Sequence, residues 1–183
     1  MGDRRRYHPL RAWLPFILAA VVVSGFGLAG RRTADGPLPP IDSTRVCRVT
    51  SVQDGDTVTV RCEGGALRVR LWGLDAPELG QRPWGERSRA ALVGDLPASV
   101  ALTTVDHDRY GRAVARLYQG ERDLGLALLR AGWAAVYRRY NDDPVYLAAE
   151  AEARRASRGI WAEPGFQQTP WQWRRFNAPG GSR

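Results

Sequence analysis

The stretch VCRVTSVQDGDTVTVRCEGGALRVRLWGLDAPE, residues 46–78, decides the fold. VCRVTSV and DTVTVRC are rich in β-branched residues and flank Asp54-Gly55, an ordinary turn pair. Gly64-Gly65 marks a second turn. Beyond it, Leu67, Val69 and Leu71 alternate with Arg68, Arg70 and Trp72, the pattern of a half-buried strand. The reading is a three-stranded meander. If Asp54-Gly55 forms a two-residue loop, Gln53 opposes Asp56. Counting outward then sets Cys47 opposite Cys62, within reach of a disulfide. A pair of buried thiols is the alternative.

Working outward, PWGERSRAALVGDL reads as a helix, and SVALTTV and RAVARLY read as two further strands joined by the polar DHDRYG. Asp123 is placed to cap LGLALLRAG, with Gly132 as its stop. Asp143-Pro144 starts a further helix that runs through VYLAAEAEARRAS and stops at Gly159. Five short strands are too few for a sandwich. The order predicts an α+β fold, a small closed barrel with helices attached. The folded domain is expected over 45–162 and an irregular tail over 163–183. In that tail PWQWRRF offers aromatic and arginine side chains, read as packing back onto the domain in preference to stacking bases.

Before the barrel the chain changes character. RRRYHPLR is basic, and the uncharged run Ala12–Ala29 follows it. As a helix that run would span ~27 Å at ~1.5 Å per residue, just under the ~30 Å of a hydrocarbon core. Residues 1–29 therefore read as an export segment. It is either a single-pass membrane anchor or a cleaved signal, since GLA before Gly30 carries the small residues a cleavage site needs. The four leading arginines place the body away from the cytoplasm. Residues 30–44, rich in Pro and Gly, read as a linker. An exported chain also favours the disulfide reading of its two cysteines.

All 27 basic residues are arginine, and the net charge is +8. Removing Arg4, Arg5, Arg6 and Arg11 with Asp3 leaves +5 on the rest. A modestly basic body suits a polyanion, and arginine grips phosphate bidentately. Two histidines, His8 and His107, give poor support to a histidine-rich metal site or a Ser-His-Asp triad. Two cysteines exclude a cysteine zinc cluster.

Asp56 opens a strand, where aspartate is disfavoured, and Asp75 closes the next one before Pro77. In a meander these two positions share an edge. Two carboxylates held together need a cation or a proton between them. Hard oxygen ligands suit calcium, with magnesium or manganese as rivals. Glu78 stands three residues further on, placed to deprotonate a water. In the resting protein it is also a candidate salt-bridge partner for Arg70. Arg70 on the third strand and Arg112 at the mouth of the fifth supply the positive charge that a phosphodiester transition state gathers around itself. Arg68, Arg82, Arg87 and Arg89 read as a solvated face.

DGDTV, VRLWGLDAPE and DRYGR resemble, in order and spacing, the three signature segments of the staphylococcal nuclease (thermonuclease) family. The resemblance covers about Arg45 to Trp161. It implies an OB-fold five-stranded barrel with three helices, and calcium-dependent cleavage of DNA and RNA to 3′-phosphates and 5′-hydroxyls. It implies that Asp56, Asp75 and the backbone carbonyl of Ala76 hold the metal, that Arg70 and Arg112 bind phosphate, and that Glu78 activates water. Tyr110 resembles a nucleotide-contacting tyrosine, and Arg109 stands where the family has a lysine. Either Tyr137 or Tyr140 corresponds to a base-contacting position. The chain carries Ala76 where the type member has threonine, and its loop after Glu78 is shorter. The expected protein is a monomeric exported nuclease with nucleic acid as substrate. The alternatives are a non-catalytic nucleic-acid- or protein-binding OB module and, resting on the N-terminus alone, a membrane-tethered adaptor.

Overall fold

A computed structural model of the protein describes residues 42–178. The export segment and most of the linker lie outside the described residues. Among the described residues no helix is long and apolar enough to cross a membrane.

Five strands close a barrel: β1 (Thr44–Val52), β2 (Thr57–Cys62), β3 (Gly65–Leu71), β5 (Ser99–His107) and β6 (Ala113–Gln119). They run in the order β3-β2-β1-β5-β6, and a parallel β3–β6 pairing joins the two ends. Alternation puts Leu67, Val69 and Leu71 inside, against Val58, Val60, Val100, Leu102 and Leu117. Each such side chain contributes roughly 2 kcal/mol by leaving water. Ala113 and Ala115, small and fully buried, sit where β6 meets β3. The barrel is the expected OB type.

The turn between β1 and β2 differs from expectation in two ways that cancel. Gln53 N–H bonds the Thr57 carbonyl at 2.9 Å, so the loop is Asp54-Gly55-Asp56, one residue longer than expected. A bulge between Val49 and Ser51 then absorbs one residue of β1 and restores the register at Val49↔Val60 and Arg48↔Arg61. Cys47 and Cys62 form the disulfide, with Cα atoms 4.4 Å apart.

Helix α1 (Trp84–Asp95) leads into β5. The two-residue strand β7 (Arg122–Asp123) leads into helix α2 (Leu124–Ala131). Asp123 caps α2 through the Leu126 N–H, and Gly132 ends it at φ 77. Asp143 caps helix α3 (Pro144–Arg155) through the Val145 N–H. That helix stops two residues earlier than expected, because Ser157 turns left-handed at φ 50.

The tail from 163 is not irregular throughout. After a 3₁₀ turn at Gly159–Trp161 and a second at Phe166–Gln168, Pro170 opens a fourth helix, α4 (Pro170–Asn177). Three helices were expected. The fourth forms because proline is suited to the first helical position and the aromatic residues behind it find partners on the domain.

Candidate nuclease site

Asp56 is the last residue of the β1–β2 loop, and three anchors hold it. Its N–H bonds Asp54 Oδ1 at 3.0 Å, and its carbonyl accepts Leu71 N–H at 2.8 Å. On its side chain, Oδ2 accepts the Ala76 N–H at 2.7 Å. The loop fits so tightly because Gly55 lacks a side chain. A Cβ there would lie 2.0 Å from Ser88 Oγ and 2.7 Å from Ala76 Cβ.

Asp75 does not lie on the third strand as expected. Gly73 turns the chain at φ 76, and Leu74–Asp75 form a separate short strand, β4. It pairs with β8 (Ala135–Val136), with Asp75 opposite Ala135. Two side chains brace this small ladder. Asn141 Nδ2 donates to the Gly73 carbonyl at 3.1 Å. Buried Glu150 accepts the Val136 N–H at 2.9 Å and pairs with Arg138 and Arg154.

Arg70 faces Thr57 across the β2–β3 ladder, so its guanidinium reaches the edge where both aspartates lie. Nη1 donates to Asp56 Oδ1 at 2.6 Å, and Nη2 donates to Asp75 Oδ1 and, at 3.4 Å, to the Leu74 carbonyl. The expected Arg70–Glu78 pair is not the one observed. Glu78 Oε1 instead accepts Arg174 Nη1 at 2.7 Å. The same Arg174, on α4, forks onto both oxygens of Asp75 at 3.0 and 2.7 Å. Glu78 is positioned by its own N–H, which bonds Gln81 Oε1 at 2.9 Å.

The electrostatics follow from burial. Asp56 and Asp75 are 2 % and 0 % exposed. Burial raises the Asp56 pKa, Arg70 opposes the rise, and the charges of Asp54 and Asp75 add to it. For Arg174 burial works against the charge, but hydrogen bonds and ion pairs with Asp75 and Glu78 outweigh it and raise its pKa. The site carries more anion than it can easily hold, and guanidinium groups offset the excess.

Closure of the barrel brings Arg112 to the same opening, because Val69 pairs with Ala113 immediately beyond it. Its Nε donates to Asp108 Oδ2 at 2.6 Å, and its Nη1 lies 3.5 Å from Thr57 Oγ1. Arg70, Glu78, Arg112 and Arg174 line a cleft of about 910 Å³, and the buried Asp56 and Asp75 are joined to it through Arg70. Arg68, exposed as expected, lines the cleft too, and Arg139 is a further cleft residue that the sequence reading missed. Tyr110 is 65 % exposed at the rim, with Arg109 Nη2 2.8 Å from its hydroxyl and the Arg109 guanidinium 4.9 Å over its ring. Tyr140 is 60 % exposed. Tyr137 also lines the cleft, but its ring is stacked on Trp171 of α4, with centroids 5.8 Å apart. His107 ends β5 beside the cleft.

The donor set suits a hard cation bound in an open manner. Asp56 and Asp75 converge on one guanidinium, and the Ala76 carbonyl belongs to the residue whose N–H already holds Asp56. Among the described residues no three His, Cys, Asp or Glu side chains gather into a cage, so waters would complete the coordination.

Paired aspartates, a nearby glutamate and converging arginines at one end of the barrel are chemically suited to handling phosphodiesters. Comparison with known proteins narrows the reading. Residues 68–163 match the family model described as staphylococcal nuclease homologue. That span contains Arg70, Asp75, Glu78 and Arg112 and begins after Asp56. The chain is 37 % identical over 132 residues to an uncharacterized endonuclease of Haemophilus influenzae, covering 70 % of this chain and 72 % of that one. It is 38 % identical over 130 residues to an uncharacterized endonuclease of Escherichia coli O157:H7, covering 69 % and 83 %. It is 37 % identical over 140 residues to a micrococcal nuclease of Shigella flexneri, covering 69 % and 79 %. The chain belongs to the staphylococcal nuclease family.

Proposed function

We propose that the protein is an exported, calcium-dependent nuclease that hydrolyses phosphodiester bonds of DNA and RNA, with magnesium or manganese as the alternative metals. The observation that carries this reading is that Arg70, Glu78 and Arg112 line one cleft while Arg70 pairs with the buried Asp56 and Asp75, all drawn together from three stretches of chain. Membership of a family whose relatives are named endonuclease and micrococcal nuclease supports nucleic acid as the substrate. Export is supported by the apolar leader and by the Cys47–Cys62 disulfide, a bond that persists in oxidising compartments. Anchoring by an uncleaved leader and secretion after cleavage fit these observations equally well.

The residues divide the work as follows. A calcium ion held by Asp56, Asp75 and the Ala76 carbonyl would place positive charge beside the scissile phosphate. Glu78 takes the proton from the attacking water. The water oxygen bonds to phosphorus, and the bond to the 5′-oxygen breaks, that oxygen taking a proton from solvent and leaving as a 5′-hydroxyl. Arg70 and Arg112 hold the non-bridging oxygens as their charge grows. Both arginines now pair with carboxylates, so phosphate binding exchanges one set of ion pairs for another. Tyr110 and Arg109 form a platform on the rim for the neighbouring nucleotide, and Tyr140 offers a second exposed ring.

The test is cleavage of single-stranded DNA by the purified chain, with calcium and with a chelator. Calcium-dependent cleavage is expected. A folded protein that binds DNA but leaves it intact with calcium, magnesium and manganese would overturn the enzyme in favour of a binding module.

A further inference from the structure

Helix α4 touches the site at three independent points. Arg174 forks onto Asp75 and bridges to Glu78. Trp171 stacks on Tyr137, 10° from parallel. Trp173 lies over the loop after Glu78, where a Cβ on Gly80 would come within 3.1 Å of its ring. One short helix thus takes a proposed metal ligand, the proposed base and one face of a candidate nucleotide contact.

The chemistry at Arg174 is that of a stand-in cation. A metal at Asp75 needs oxygen lone pairs. Both Asp75 oxygens here accept guanidinium N–H groups, from Arg174 at each and from Arg70 at Oδ1. A general base needs a free carboxylate, and Glu78 is engaged by the same Arg174. The guanidinium offsets the charge of the aspartates as a cation would, but it cannot hold a water for attack. Metal and Arg174 therefore compete for one carboxylate.

The helix is also held lightly. Of its eight residues only Pro170 is buried, and Phe176, 54 % exposed, meets Phe166 of the preceding turn, 44 % exposed, with the rings tilted by 41°. Its hold on the domain therefore rests largely on Trp171 and on Arg174, whose charge a metal at Asp75 would replace.

We propose that Arg174 is a built-in cation competing with the metal, and that α4 is a latch lowered over the nuclease site. Rising calcium displaces it by taking Asp75 from Arg174. This rests on the nuclease reading above.

The experiment is calorimetric titration of the full chain with calcium, comparing wild type, Arg174→Ala and Arg174→Gln. The glutamine variant keeps more of the side-chain packing and carries the test if the alanine variant folds poorly. Trp171→Ala frees the helix while leaving every carboxylate and Arg174 in place. Both Arg174 variants are expected to bind calcium at least ~10-fold more tightly, and Trp171→Ala to move in the same direction. Cleavage at sub-saturating calcium should rise, and cleavage at saturating calcium should stay near wild type. Unchanged or weaker calcium binding overturns the latch. A ~10-fold fall in cleavage at saturating calcium also overturns it and makes Arg174 a participant in turnover. Wild type that binds no divalent cation and cleaves nothing removes the nuclease reading, and the latch with it. Binding and cleavage in wild type with no gain in the variants removes the latch alone.

Discussion

Replacing Arg70 by methionine removes the cation that lies between Asp56 and Asp75 while keeping much of the side-chain volume. The two aspartates are affected unequally. Asp75 retains the fork of Arg174 at 3.0 and 2.7 Å. Asp56 retains only neutral donors, the Thr57 hydroxyl at 3.0 Å and the Ala76 N–H at 2.7 Å. At 2 % exposure it cannot turn to water. Breaking a buried pair by removing one partner costs about 3–5 kcal/mol. Because Arg174 still serves one of the two carboxylates, the lower end applies, about 3 kcal/mol. Urea denaturation in the presence of a chelator reads this directly. Calcium should recover more stability in the variant than in wild type, since the ion then meets two carboxylates with one internal cation fewer. A variant within about 0.5 kcal/mol of wild type in chelator would refute the reasoning. It would show that Arg70 does not balance the charge of the site.

Three other outcomes follow from the same geometry. Arg112→Ala should lower turnover by on the order of 10³, by analogy with arginines that stabilise phosphoryl charge, with little change in thermal unfolding; single-turnover cleavage kinetics check this. Gly55→Ala drives a Cβ into Ser88 Oγ and Ala76 Cβ, so it should cost roughly 1–3 kcal/mol and weaken calcium binding together with stability. Cys47→Ser combined with Cys62→Ser opens a link of sequence separation 15 and should cost about 3 kcal/mol, measured by denaturant midpoint under non-reducing conditions.

The barrel was legible because its strands alternate cleanly and its turns carry their own chemistry. Leu67, Val69 and Leu71 face inward as their spacing requires. Asp123 with Gly132 and Asp143 with Pro144 are local punctuation, and local punctuation survives folding. Asp56 and Asp75 were paired on the reading that a meander shares its edges; they do meet on Arg70, but Asp75 gets there on the separate strand β4. The bulge at Val49/Ser51 was not legible, since nothing in VTSV marks which residue the partner strand will skip. Nor was the β4–β8 ladder, whose two-residue strands are too short to show a pattern and are braced by Glu150 and Asn141. Arg174 was missed for the plainest reason: its partner Asp75 is 99 residues away. The available local signal was Pro170 opening a helix that presents Trp171 and Arg174 three residues apart, on one face.

The central claim is that Glu78 activates water beside a calcium ion held by Asp56 and Asp75. Cleavage of single-stranded DNA by wild type and by Glu78→Gln, each with calcium and with chelator, tests it most directly. The account predicts calcium-dependent cleavage in wild type and a loss of at least ~10² in the variant, with thermal unfolding unchanged. Near-native cleavage by a folded Glu78→Gln protein would contradict it.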